Sequence, residues 1–267
     1  MNPLKSLFAL RWQPTRDTGL AFAAGTIVIL LSCSLRLVDP ETLTGQIATL
    51  LILSLGIRVG IGYGLPLHTM LVKKGAGWDF FGLRRKNWAI SLALNLVLAA
   101  LLLGQFLVES GRQGAQILLT EEAILPIFYI IVAGVFEMVF IYGFLRKHFE
   151  RAFGLLPSVI LTALFYSLYH AGFQPEFIKL VFVGLLYAAT LRVTENILII
   201  FPFFWGVGAT WDVLVNFGAT SLQSGWSLAA TLAALTLMAA ITLWTLPRAR
   251  IRARAGQSRA SPSGDSP

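Results

Sequence analysis

One cysteine, three histidines and 13% charged residues leave this chain of 267 residues few side chains for chemistry. Cys33, alone, excludes an intrachain disulfide and any cysteine metal cluster. No small-residue cleavage site follows the first apolar run, so that run is expected to stay as a signal anchor. The two halves show no clear repeat, which ranks a small-solute transporter behind other readings. Acidic residues are scarce as well, 13 against 21 Lys and Arg, for a net charge of +8. No stretch reads as a soluble domain.

Apolar residues are abundant. They make up 56% of the chain, and the mean hydropathy of +0.74 is too high for a soluble protein of this length. Apolar windows recur at 20–35, 43–72, 88–108, 123–145, 158–173, 177–191, 197–217 and 226–246, most of them near the length that crosses a hydrocarbon core of about 30 Å. The expected fold is therefore all-α, a polytopic membrane protein of about eight transmembrane helices. Residues 1–18 form a cytoplasmic segment, 19–246 the transmembrane domain, and 247–267, "PRARIRARAGQSRASPSGDSP", a disordered basic tail.

Short cytoplasmic loops retain Lys and Arg, so the basic residues orient the chain. Lys5, Arg11 and Arg16 precede the first window. Lys73, Lys74, Arg84, Arg85 and Lys86 lie between the second and third, Arg146, Lys147 and Arg151 after the fourth, and Arg192 after the sixth. Both termini are expected to be cytoplasmic. The positive charge then reads as a topology signal with affinity for anionic lipid, and nucleic acid is not expected as a partner.

Ionisable groups in a bilayer cost a contested ~2.5–3.5 kcal/mol or more at a helix centre, so each needs a reason. Arg58, Glu137, His170 and Asp212 lie inside apolar windows. Counted from the basic ends of their helices at about 1.5 Å per residue, their depths are ~21, ~14, ~18 and ~22 Å. One shared polar cavity accommodates all four. Thr162, Tyr166, His170 and Gln174 recur every four residues and line one helical face, as do Asp212, Asn216 and Thr220. Gly56, Gly60 and Gly64 have the same spacing and form a ridge suited to close helix contact, with Arg58 and Gly62 on a different face. A Glu and a His at similar depth can hold and deprotonate a water if they approach within about 6 Å. An ion pair of Glu137 with Arg58, and helix-to-helix hydrogen bonding by His170 or by Asp212 and Asn216, are the structural alternatives.

A glutamate motif on the fourth helix, a histidine on the next and a late polar pair resemble the CPBP family, the CAAX protease and bacteriocin-processing proteins, also called Abi or type II CAAX prenyl endopeptidases. In "EMVFIYG" the family's first glutamate is Glu137 and its glycine Gly143, whereas Met138 replaces the second glutamate and Tyr142 the arginine. "YSLYH" supplies Tyr166 for the usual phenylalanine, with His170 as the histidine. "DVLVN" has Asp212 where the late histidine is expected and Asn216 as its partner, and "FGLRRKNW" resembles the family's loop before the third helix. The likeness runs from Phe80 to Phe217.

The resemblance implies a CAAX-protease-like helical bundle that cleaves a peptide bond in the membrane. Glu137 would be the base, His170 its partner, Asn216 an oxyanion donor, and Asp212 a group that orients water, with Tyr166, Tyr142, Arg58 and Gln174 in support. No cofactor is required on this reading. A divalent metal such as zinc would need Glu137, His170 and Asp212 as ligands. Expected partners are membrane lipid and a membrane-embedded or prenylated peptide, and the expected location is a bacterial-type plasma membrane. The alternative is a protease fold without activity, serving as binding partner, immunity factor or chaperone.

Overall fold

The structure, a computed structural model, describes residues 9–39, 41–113, 121–174, 176–215 and 224–260, the side chains of 121–125, 212–215, 224–228 and 249–260 excepted. Its long elements are all helical: α1 (Arg16–Leu37), α2 (Leu43–Lys73), α3 (Trp88–Gln113), α4 (Glu121–Phe136, continuing through Arg146–Phe153), α5 (Leu155–His170), α6 (Phe177–Thr194), α7 (Phe203–Val215) and α8 (Ser224–Ala260). No strand occurs among the described residues. The all-α membrane architecture follows directly. Among the described residues six helices, against the eight expected, are long and apolar enough to cross a membrane: α1, α2, α3, α4, α6 and the 229–248 part of α8. At 16 residues α5 rises only ~24 Å, short of a hydrocarbon core, and α7 is described as far as Val215.

α4 is the axis of the bundle. Of its most apolar window 72% is buried, against 17% for α3. Buried Phe136, Phe140, Phe144 and Phe149 recur along it, so the α4 sequence is apolar nearly all round, as a helix enclosed by others must be. Between Glu137 and Leu145 its backbone hydrogen bonds widen to reach back five residues, as in Arg146 N–H to the Ile141 carbonyl. α2 does the same from Leu50 to Gly64, so a count of 3.6 residues per turn does not carry across that stretch.

The small-residue contact of α2 is not where the sequence suggested. A methyl group at Gly56 or Gly60 would meet only its own helix, and one at Gly64 would touch Ile241 of α8 at an ordinary distance. Gly62 is the position where α2 and α4 close up, because a methyl there would run into the ring of Phe136. The tail also departs from expectation. α8 continues past Pro247 to Ala260, where the sequence reading began a disordered segment. The run "RARIRARA" is built from good helix formers, and a proline costs one backbone bond without ending the helix here.

The basic loops gather at one end of the bundle. Gly154, with φ of +95°, turns the chain from α4 into α5, and the segment before α1 covers this turn through Arg11 N–H to Phe153 O (3.1 Å) and Gln13 N–H to Ala152 O (2.9 Å). Lys147 Nζ reaches the Asp79 carbonyl at 3.3 Å, and the buried amide of Asn196 donates to the carbonyls of Arg84 and Lys86. At the opposite end Arg36 Nε donates to Ala171 O at 2.7 Å. The protein is thus an integral membrane protein with its Lys- and Arg-rich connections on one side.

Gly62→Ala is expected to destabilise the fold by ~1–3 kcal/mol through overpacking against Phe136. Gly19→Ala, whose methyl meets nothing within 4 Å, should be neutral or stabilising. Thermal unfolding in detergent compares the two; equal melting temperatures would refute the close α2–α4 contact.

Candidate functional site: a buried Glu–His pair

Glu137 sits midway along α4, and His170 closes the last turn of α5. Both are buried, and His170 Nε2 lies 3.4 Å from Glu137 Oε1. The second glutamate oxygen, Oε2, accepts a hydrogen bond of 2.7 Å from Trp205 Nε1 at the start of α7. The other imidazole nitrogen, His170 Nδ1, is 2.7 Å from the Tyr166 carbonyl one turn earlier.

That carbonyl fixes where the protons are. A carbonyl only accepts, so Nδ1 carries a hydrogen. Nε2 is then the ring nitrogen turned to the Glu137 carboxylate, across a contact long enough to tighten around a reacting group.

Aromatic rings wall the pair. Tyr166 and Tyr169 pack on His170 at 4.5 and 4.6 Å between centroids, and Phe173 lies at 5.2 Å. Tyr142 stands 5.8 Å from Tyr166, and Tyr187 of α6 stands 6.0 Å from Tyr142. The Tyr142 hydroxyl is buried and finds no hydrogen-bond partner among the described residues, as is also true of Thr162 Oγ1. A buried hydroxyl with no assigned acceptor, as on Tyr142 near the acid–imidazole pair, is unusual, because unsatisfied buried polar groups are rare.

Arg58 is buried nearby, but it forms no ion pair with Glu137. Its guanidinium lies over the Tyr129 ring at 4.6 Å and its Nε is 3.4 Å from the Tyr169 hydroxyl, leaving Nη1 without a partner. Gln174 departs from the expected stripe. It turns outward to Glu176, 3.2 Å away, because α5 ends at His170 and the helical phase ends with it. Thr162, Tyr166 and His170 do share the buried face. Asp212 belongs to α7, though its side chain, like all of Asn216, lies outside the described residues. No group of three or more His, Cys, Asp and Glu occurs among the described residues, so the zinc set of Glu137, His170 and Asp212 has two members on view.

Trp205 is the residue the sequence did not bring forward. Gly134, one turn before Glu137 on α4, makes the room for it: a methyl there would sit 2.6 Å from two indole carbons. The missing side chain lets the indole lie flat on α4 with its N–H at the carboxylate. A Trp in an apolar span needs an acceptor for that N–H, and this was the available signal.

Residues 119–203 match the family model described as Type II CAAX prenyl endopeptidase Rce1-like. Over this segment the chain is CAAX-protease-like. The match takes in Glu137, Tyr142, Gly143, Tyr166 and His170 and stops short of Trp205, Asp212 and Asn216. It is shorter than the likeness from Phe80 to Phe217 read from the motifs. No curated protein and no solved structure is similar enough to match.

Trp205→Phe keeps the ring packing and removes a donor from a buried carboxylate, an interaction worth ~1.5–3 kcal/mol. Gly134→Ala should reproduce that loss by displacing the indole. Melting temperatures in detergent that fall for both, with partial recovery in Trp205→Phe when Glu137→Gln is added, would establish the contact. Additive effects would refute it.

Proposed function

We propose that the protein is an intramembrane endopeptidase of the CAAX-protease type, acting on a membrane-embedded or prenylated peptide. The observation that carries the proposal is the 3.4 Å approach of two buried groups, Glu137 and His170, from different helices. The separation lies inside the limit of about 6 Å within which both groups can reach one water.

In the reaction, a water held by the pair loses a proton to the Glu137 carboxylate while its oxygen attacks the scissile carbonyl carbon. The same proton then passes to the departing amine nitrogen as the carbon–nitrogen bond breaks, leaving a carboxylic acid and an amine. His170, its Nδ1 hydrogen committed to Tyr166 O, presents Nε2 to the carboxylate and shares the proton during transfer. Trp205 holds the other carboxylate oxygen and so fixes which one faces the histidine. The developing oxyanion needs hydrogen-bond donors. The free Tyr142 hydroxyl and the amide of Asn216 are the candidates for that role, with Asp212 orienting water beside them. No step is assigned to a metal.

Purified full-length protein in lipid nanodiscs, presented with fluorogenic membrane-anchored peptides, tests the proposal. Glu137→Gln and His170→Ala should each lower the rate by ~10²–10⁴, the usual contribution of an acid–base group, with the melting temperature nearly retained in Glu137→Gln and lowered in His170→Ala, which takes one partner from the buried carboxylate. Either variant at full rate removes the mechanism, and an inert wild type across a broad peptide panel favours the inactive-fold alternative. Tyr142→Phe separates function from structure. It deletes a buried hydroxyl without a partner, so stability should hold or rise, while the rate should fall if that hydroxyl serves the oxyanion.

A further inference from the structure

The second concentration of charge in the molecule lies at the basic end of the bundle, away from the Glu–His pair. Arg11, Lys147, Glu150, Arg151 and Glu195 line a cleft of about 250 Å³ there. Its carboxylates are already engaged. Glu150 is paired with Arg146 at 2.7 Å and with Arg192 at 3.4 Å, and Glu195 with Arg192 at 3.3 Å, Arg146 at 3.6 Å and Arg84 at 4.0 Å. Three arginines thus share two acids, so this network is cationic before the rest of the lining is counted.

The remaining cations have no acid at all within ion-pair reach among the described residues. Lys147 gives one hydrogen bond to a backbone carbonyl, and both Lys147 and Arg151 lie over the face of Phe80, at 5.2 and 5.5 Å. One buried ring therefore has two positive groups within cation–π reach. Arg11 completes the rim from a chain segment fixed by its own backbone bond to Phe153. An anion in the cleft would meet three cations that lack an acidic partner among the described residues, and the guanidinium fork favours an oxyanion with several oxygens in one plane or cone, as in phosphate.

The flanks of Arg11 indicate where the anion comes from. Leu10 and Trp12 are both largely exposed, and Trp12 packs one edge on Phe153 at 5.3 Å. An exposed Trp beside an exposed Leu at the end of a membrane bundle has the composition of the headgroup zone, where aromatic anchors concentrate. A ligand entering the cleft there has its apolar part beside apolar side chains. We propose that this cleft binds the phosphate group of an anionic membrane lipid, with Arg11, Lys147 and Arg151 as its ligands. The site is independent of the peptidase reading, and its failure would leave that reading untouched.

The test uses the purified full chain and native mass spectrometry of lipid adducts, with dioleoyl phosphatidic acid as probe and dioleoyl phosphatidylcholine as the reference, whose phosphate is masked by its own cation. Wild type should retain phosphatidic acid over phosphatidylcholine, and Arg11→Gln/Lys147→Gln/Arg151→Gln should lower that preference roughly tenfold or more. Arg112→Gln, at the far end of α3, should leave it unchanged. If the triple variant does not fold, Arg151→Gln alone, an exposed side chain with only its ring contact to lose, should still lower the preference several-fold. Equal retention of both lipids, or a preference undiminished in the variants, overturns the site. A millimolar arm of inorganic phosphate distinguishes the sources: no displacement supports the lipid, and displacement of the lipid by free phosphate overturns its assignment as the ligand.

Discussion

A carboxylate inside an apolar bundle is stable only if each of its oxygens has somewhere to place its charge, and Glu137 is arranged around that constraint. One oxygen takes the Trp205 indole and the other faces His170. Removing either partner would leave a buried charge under-satisfied, the situation that costs proteins most. The constraint reaches beyond the pair. It asks for a slot at Gly134 so that the indole can approach, and for α7 to begin against α3, where the buried Asn95 accepts from Phe204 N–H at 2.8 Å. It also asks for α5 to stop at the histidine. Three helices contribute one group each, and their mutual positions are set by the need to neutralise a single acid.

Much of this was legible in the sequence because the lipid makes intramembrane charge conspicuous. Glu137 and His170 stood out as rare residues at comparable depth, and the structure brings them together. Arg58 stood out for the same reason and does enter the neighbourhood, but the ring of Tyr129 and the hydroxyl of Tyr169 receive it where a carboxylate was one of the expectations. Trp205 did not stand out. Tryptophan is common in membrane helices, and nothing in a linear string announces that its N–H is 2.7 Å from an acid 68 positions earlier.

The misreadings have physical causes. Periodicity assumes a constant turn, and α2 and the middle of α4 widen, so the glycine ridge deduced at ordinary pitch gave way to a contact at Gly62. Gln174 followed the four-residue spacing but lies beyond the helix end, where spacing no longer specifies direction. The window at 158–173 was apolar enough to resemble a span because α5 buries one face against other helices and carries apolar Leu156, Ile160 and Leu168 on the other. Burial in protein and burial in lipid leave the same mark on composition, and only length separates them.

Arg146 and Glu137 share one helix, nine positions apart, so the buried pair lies ~13 Å along α4 from the charged end. An extended polypeptide advances ~3.3–3.6 Å per residue. A chain fed in from that end would have to strip about four residues of water before any of its peptide bonds stood level with the acid. Short soluble loops on folded proteins do not present that much free strand, so on the proposed peptidase reading the depth of the pair would filter substrates by length and flexibility.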